Sequence, residues 1–253
     1  MYVTFEDIRT FEVVGRAVGE APMTGDEVLG TLHDLYVDTR DWRVSWLVIA
    51  RGGLLSSRRV LIGTDRRVAF DTGARRLVTD LTDYDVETAP EEGEVRTVSD
   101  QRAEERAPRG GSGLLPGPAG DDPTAAGADG AMLAPGADAL PPSEEERHLR
   151  SAREMIGYAL AGRDEDVGHV RDLLVDTDSP AIAWLSIDVG SWLAGREVVI
   201  RPHWITDLSW SESRLTVDLS REQLRGAPPL ETLDGLDRAY ASSLARFYRF
   251  PSL

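Results

Sequence analysis

Gly30-Thr31-Leu32-His33-Asp34-Leu35-Tyr36-Val37-Asp38-Thr39 returns 138 positions later as Gly168-His169-Val170-Arg171-Asp172-Leu173-Leu174-Val175-Asp176-Thr177. Outward from these stretches the register holds without a gap, Asp26 to Pro90 against Asp164 to Pro228, over 65 positions. Trp46-Leu47-x-Ile49 meets Trp184-Leu185-x-Ile187, Arg58-x-Val60-x-Ile62 meets Arg196-x-Val198-x-Ile200, and Arg76-Leu77 meets Arg214-Leu215. Gly15 matches Gly157 once a four-residue insertion around Ala21-Pro22-Met23-Thr24 is allowed. Chance does not hold a register over this length, so the chain carries an internal duplication.

Within each copy the apolar residues alternate as in half-buried strands. Val170–Val175 and Ala183–Ile187 flank Asp176-Thr177-Asp178-Ser179-Pro180, whose turn-forming side chains make the pair a hairpin. Glu197–Ile200 and Arg214–Leu219 supply further strands. Four to six short strands in so few residues leave open edges unless the sheet curls and closes, so each copy is expected to form its own small β-barrel. Helices are expected only at the margins. Ser151-x-x-Glu154 and Ser220-x-x-Gln223 have capping-box spacing, and Leu233, Leu236, Tyr240, Leu244 and Phe247 recur as on one amphipathic helix. The expected organisation is a first repeat over 1–90, a linker over 91–142, a second repeat over 143–230 and a C-terminal helix over 231–253. The linker is rich in Gly, Ala, Pro and acid and too poor in apolar bulk to offset the entropy of ordering it, so it is expected to be disordered. Glu91 through Leu149 carries 13 acids against 5 arginines, half of the chain's net charge of −16.

Composition excludes whole classes of chemistry. The 253 residues include no cysteine, which removes disulfides and thiolate catalysis. They include no lysine, so no Schiff base and no P-loop lysine can form. The negative balance opposes both nucleic acid and anionic lipid. No apolar run approaches the roughly 20 residues of a membrane span, and Met1–Asp7 carries acid where a signal peptide needs positive charge. Cytoplasmic residence without membrane insertion is the expectation.

Ile156-Gly157, Val167–Asp176, Trp192-Leu193-Ala194-Gly195-Arg196-Glu197-Val198-Val199-Ile200 and Leu219-Ser220-Arg221-Glu222-Gln223-Leu224 together resemble a PRC-barrel domain. That family takes its name from the cytoplasmic domain of the photosynthetic reaction-centre H subunit and also forms the C-terminal domain of a ribosome-maturation factor. The resemblance covers both copies and is stronger in the second. In the first, Leu54-Leu55-Ser56-Ser57 replaces the Trp-Leu-Ala-Gly run and Thr82-Asp83-Tyr84-Asp85-Val86 replaces Ser-Arg-Glu-Gln-Leu. It implies a six-stranded barrel used for binding or assembly, with no catalytic residue or cofactor to carry over. The membrane helix of the reaction-centre subunit and the nucleic-acid-associated domain of the maturation factor have no counterpart in this chain.

Candidate chemistry is sparse. His33, His148, His169 and His203 lack metal-ligand spacing. Asp34 with Asp38, and Asp172 with Asp176, could pair for acid–base work or a hard cation. The turn position of Asp38 and Asp176 suits capping of their own backbone, and Asp34 and Asp172 are expected to pair with arginine. No catalytic, cofactor or metal residue is therefore assigned. The copies differ at Trp192, Trp204 and Trp210, which stand where the first has Leu54, Arg66 and Thr72, and at Arg58-Arg59, Arg66-Arg67 and Arg75-Arg76. The indoles either fill the second barrel or grip a partner. The arginines form a basic patch or a counter-surface for the acidic linker. Trp192, Trp204, Trp210, Arg58, Arg66 and Arg75 are the candidate partner-binding residues. The leading expectation is a non-enzymatic adaptor of two barrels, packed on each other or as a homodimer, that binds a protein partner. The alternatives are a ribosome-maturation or RNA-processing accessory and a soluble relative of the reaction-centre subunit.

Overall fold

The computed structural model describes residues 1–15, 27–52, 58–95, 97, 148–189, 197–228, 230 and 232–249. Of the expected linker over 91–142, residue 96 and residues 98–142 lie outside the described residues, as does Trp192. The chain is mostly β, with short helices, as the alternating pattern requires. In repeat 1 the elements are β1 (Tyr2–Thr4), α1 (Phe5–Ile8), β2 (Glu12–Gly15), β3 (Glu27–Asp38), β4 (Arg43–Arg51), β5 (Arg58–Gly63), β6 (Val68–Asp71), β7 (Arg76–Thr79) and α2 (Asp83–Glu87). Repeat 2 copies the series as β8 (Leu149–Ser151), α3 (Ala152–Met155), β9 (Ala159–Ala161), β10 (Asp166–Asp176), β11 (Ala181–Asp188), β12 (Glu197–Ile200), β13 (Ile205–Ser209), β14 (Arg214–Val217) and α4 (Arg221–Arg225). A 3-10 turn at Leu233–Gly235 and α5 (Arg238–Tyr248) follow, so the expected C-terminal helix begins only after its Asp237 cap.

Each repeat arranges six strands in one order, β6-β7-β2-β3-β4-β5 and β13-β14-β9-β10-β11-β12, with β2–β7 and β9–β14 parallel. The end strands β5 and β6 do not hydrogen-bond to one another, nor do β12 and β13, so the sheet stays open among the described residues. The expected closure fails for a local reason in repeat 1. The outer edge of β5 is taken instead by the chain after α2, through Leu61 N to Pro90 O at 2.9 Å and Glu92 N to Arg59 O at 2.9 Å. In repeat 2 the 3-10 turn Pro202–Trp204 separates β12 from β13.

The repeats are not independent. β1, the first strand of repeat 1, pairs with β10 of repeat 2, Tyr2 facing Asp176 and Val3 facing Val175. β8, the first strand of repeat 2, pairs with β3 of repeat 1, Leu149 facing Asp38 and Arg150 facing Val37. This is a reciprocal exchange: Thr177 N donates to Met1 O at 2.9 Å and, symmetrically, Thr39 N donates to His148 O at 3.1 Å. A second seam joins the β3–β4 hairpin to β11, through Val44 N to Pro180 O at 2.9 Å and Ile182 N to Trp42 O at 2.8 Å. One hydrophobic core therefore runs through both repeats, from Phe5 and Leu35 to Trp184, Leu215 and Leu244, in place of two separate barrel interiors. A smaller cluster of Tyr36, Val48, Leu61 and Leu149 fills the other face of the sheet and itself combines both repeats.

Candidate functional site

The sharpest electrostatic feature lies at the exchange junctions. Asp34 and Asp172 are buried, 4% and 9% exposed, where a carboxylate is costly without compensation. Asp34 accepts the amides of Leu35 at 2.8 Å and Arg153 at 3.1 Å, with the Ser151 hydroxyl on its other oxygen. Asp172 accepts Leu173 N at 2.7 Å and Glu6 N at 3.3 Å. Each aspartate thus holds the short helix entering from the other repeat, and the expected arginine pairing is corrected: Arg153 contributes its backbone amide. Burial raises both carboxyls to about 6, against the hydrogen bonds that lower them. Asp38 and Asp176 behave as expected of turn residues, accepting Arg40 N at 2.9 Å and Asp178 N at 3.0 Å. A hydrogen bond from the Arg40 side chain holds the Asp38 carboxyl below its usual range.

The arginines of repeat 1 do not form a free basic patch. Arg58 Nε donates to Glu91 at 2.8 Å and its guanidinium reaches the Glu87 carbonyl at 3.0 Å. Arg59 pairs with Glu92 at 2.9 Å, Arg66 with Asp85 at 3.3 Å, and Arg51 with Asp83. Arg51 of β4, Arg58 of β5 and Arg66 of the turn after β5 converge on the five-residue helix α2. Thr82 caps that helix, and hydrogen bonds from Thr82 hold the Asp85 carboxyl below its ordinary value. Arg75 lies elsewhere, bonded to Thr10 and stacked 5.3 Å from the Phe11 ring centroid.

Trp204 is 3% exposed, with edge contacts to Trp184 at 6.3 Å and Tyr248 of α5 at 5.3 Å. It cannot grip a partner directly, because α5 covers it. Trp210 is half-buried and donates to Glu154 at 2.9 Å, which draws that carboxylate away from a reciprocal capping box with Ser151. The residue left prominent is Tyr84, 72% exposed on α2 within the ring of arginine–carboxylate pairs. Its signal in the sequence was the replacement of Glu222, at the matching position of α4, by an aromatic on a solvent-facing helix. Among the described residues no group of three or more His, Asp or Glu could hold a metal.

The same architecture appears twice, and the family model for the PRC-barrel domain matches twice, over residues 2–83 and 148–224. The chain belongs to the PRC-barrel domain family. Each matched PRC segment begins at its exchanged strand, β1 or β8, while α5 lies beyond the second match. PRC-barrel domains are generally non-enzymatic. No curated protein matches the chain significantly. No helix among the described residues is long and apolar enough to cross a membrane.

Proposed function

We propose that this tandem PRC-barrel protein is a non-enzymatic, cytoplasmic interaction scaffold, whose two repeats form an intramolecular pseudo-dimer that presents the α2 face of repeat 1 to a protein partner. The observation that carries the reading is Tyr84, exposed on a helix that Thr82 caps and three arginines brace. An aromatic anchor surrounded by already neutralised charges needs little ordering and little ionic desolvation on binding. The two strongly raised acids, Asp34 and Asp172, are committed to backbone amides at the junctions, which supports a structural role for them. Trp192 remains a second candidate contact. An RNA-processing role would need cations free to meet phosphate, and Arg58, Arg59 and Arg66 each already face a carboxylate.

A pull-down from native lysate with wild type and Tyr84→Ala, quantified by mass spectrometry, tests the reading. One protein should be lost from the variant's captures while its thermal melt stays unchanged. Identical captures from the two proteins would overturn it.

A further inference from the structure

At the seam, the β3–β4 hairpin and the start of β11 enclose a cleft of about 440 Å³, within the size range of small-ligand sites. The two repeats differ sharply beside it: Gly63-Thr64-Asp65-Arg66 in repeat 1 corresponds to Arg201-Pro202-His203-Trp204 in repeat 2. In repeat 1, Thr64 spends its amide on Ser45 O at 3.0 Å and its hydroxyl on Val44 O at 2.6 Å, tying that corner shut. Pro202, at the matching place, has neither donor, and the corresponding residues Ile182 and Ala183 line the cleft.

Arg201 puts a charge where repeat 1 has Gly63. Its guanidinium carbon lies 4.0 Å from the Trp184 ring centroid. Stacking occupies the flat face of a guanidinium and leaves its in-plane N–H donors for another partner. No carboxylate among the described residues comes within ion-pair distance of Arg201, and burial lowers its pKa. The other arginine in the lining, Arg40, is already bound to Asp38 at 2.5 Å. Asp41 and Asp176 also line the cleft, so a single negative charge meets repulsion that Arg201 has to outweigh and a doubly charged anion meets twice as much. Trp42, Ile182, Pro202 and Ile205 give the cleft an apolar side, and Thr39 and His203 join the charged groups on its polar side.

We propose that the seam cleft is a binding site for a carboxylate carried on a short apolar body, with the Arg201 fork as its principal donor. The site goes beyond the scaffold reading and does not depend on it. Its ligand chemistry is shared by a free branched-chain acid and by the C-terminus of a peptide ending in an apolar residue.

The test uses the full chain, with 3-methylbutanoate, N-acetylglycyl-leucine and N-acetylglycyl-leucinamide at matched ionic strength. Trp42 and Trp184 flank the site and report by fluorescence. A saturable response to the carboxylates is expected, with the amide at least about tenfold weaker, because a charge-assisted hydrogen bond is worth that much or more. Stronger binding of the dipeptide than of the small acid assigns a peptide terminus, and equal binding assigns a free acid. Arg201→Gln should weaken binding about tenfold or more, with Arg201→Lys in between. Asp41→Asn, in an exposed turn, should tighten it severalfold, which keeps the test decisive even if the Arg201 variants fold poorly. Absence of saturation for both carboxylates up to about 10 mM, in the weak range for small ligands, would overturn the proposal. Unchanged binding in both Arg201→Gln and Asp41→Asn would do the same.

Discussion

Asp34→Asn isolates the charge buried at an exchange junction. The asparagine oxygen can still accept Leu35 N and Arg153 N, and its amide group can donate to the Ser151 hydroxyl, so the bonding survives while the charge does not. Burial raises Asp34 to about 6, against about 3.9 for an aspartate in an unfolded chain. The folded protein therefore keeps its proton to higher pH than the unfolded chain does. The contribution of this carboxyl to stability is complete below about pH 4 and is lost as pH rises through about 6, with little change beyond. Between pH 5 and 7.5 the loss is on the order of 1 kcal/mol. Asparagine does not titrate, so the stability of Asp34→Asn relative to wild type should improve by about that amount over the same interval. The other acids largely cancel in the comparison. Guanidinium denaturation of both proteins at the two pH values measures the shift. A gap that stays constant, or moves toward wild type at pH 7.5, would show that the three donors outweigh burial and that the reasoning is wrong. Asp34→Ala, which orphans two amides and a hydroxyl, should cost about 2–4 kcal/mol at either pH.

Two further substitutions test the packing. In Gly168→Ala the new methyl would run into the Asp188 carbonyl, a backbone atom that cannot swing aside, and thermal melts should show a loss of about 1–3 kcal/mol. Trp204→Ala would open the core beneath α5; a loss of about 3–5 kcal/mol is expected, together with faster amide exchange in Arg238–Tyr248, and retention of full stability would contradict the core placement.

What the sequence made legible follows from how local each feature is. The hairpin of β10 and β11 stands where alternation and the Asp176–Pro180 turn placed it, because both signals are carried by neighbouring residues. The Ser220–Gln223 capping box formed for the same reason. Thr82-Asp83-Tyr84-Asp85, which reads as a departure from the family pattern, builds an equivalent box with Thr and Asp, so the chemistry persisted while the letters changed. Exchange was invisible because β1 and β8 are three-residue strands entering duplicated sheets. Pairing within a repeat and pairing across repeats satisfy one and the same hydrophobic pattern. The roles of Asp34 and Asp172 were hidden with it, since their partners are backbone amides supplied from the opposite repeat. Trp204 was ambiguous for another reason: an indole suits an interior and an interface alike, and only the cover provided by α5 decides between them.

Reciprocal exchange can be read directly by cross-linking, since the chain has no cysteine of its own. Tyr2→Cys with Asp176→Cys places thiols on facing residues of β1 and β10, whereas Tyr2→Cys with Asp38→Cys tests the same strand returned to its own repeat. The account predicts that mild oxidation closes a disulfide within monomers of the first pair and not of the second. Closure of the second pair in place of the first, or closure of the first only between two chains, would contradict it.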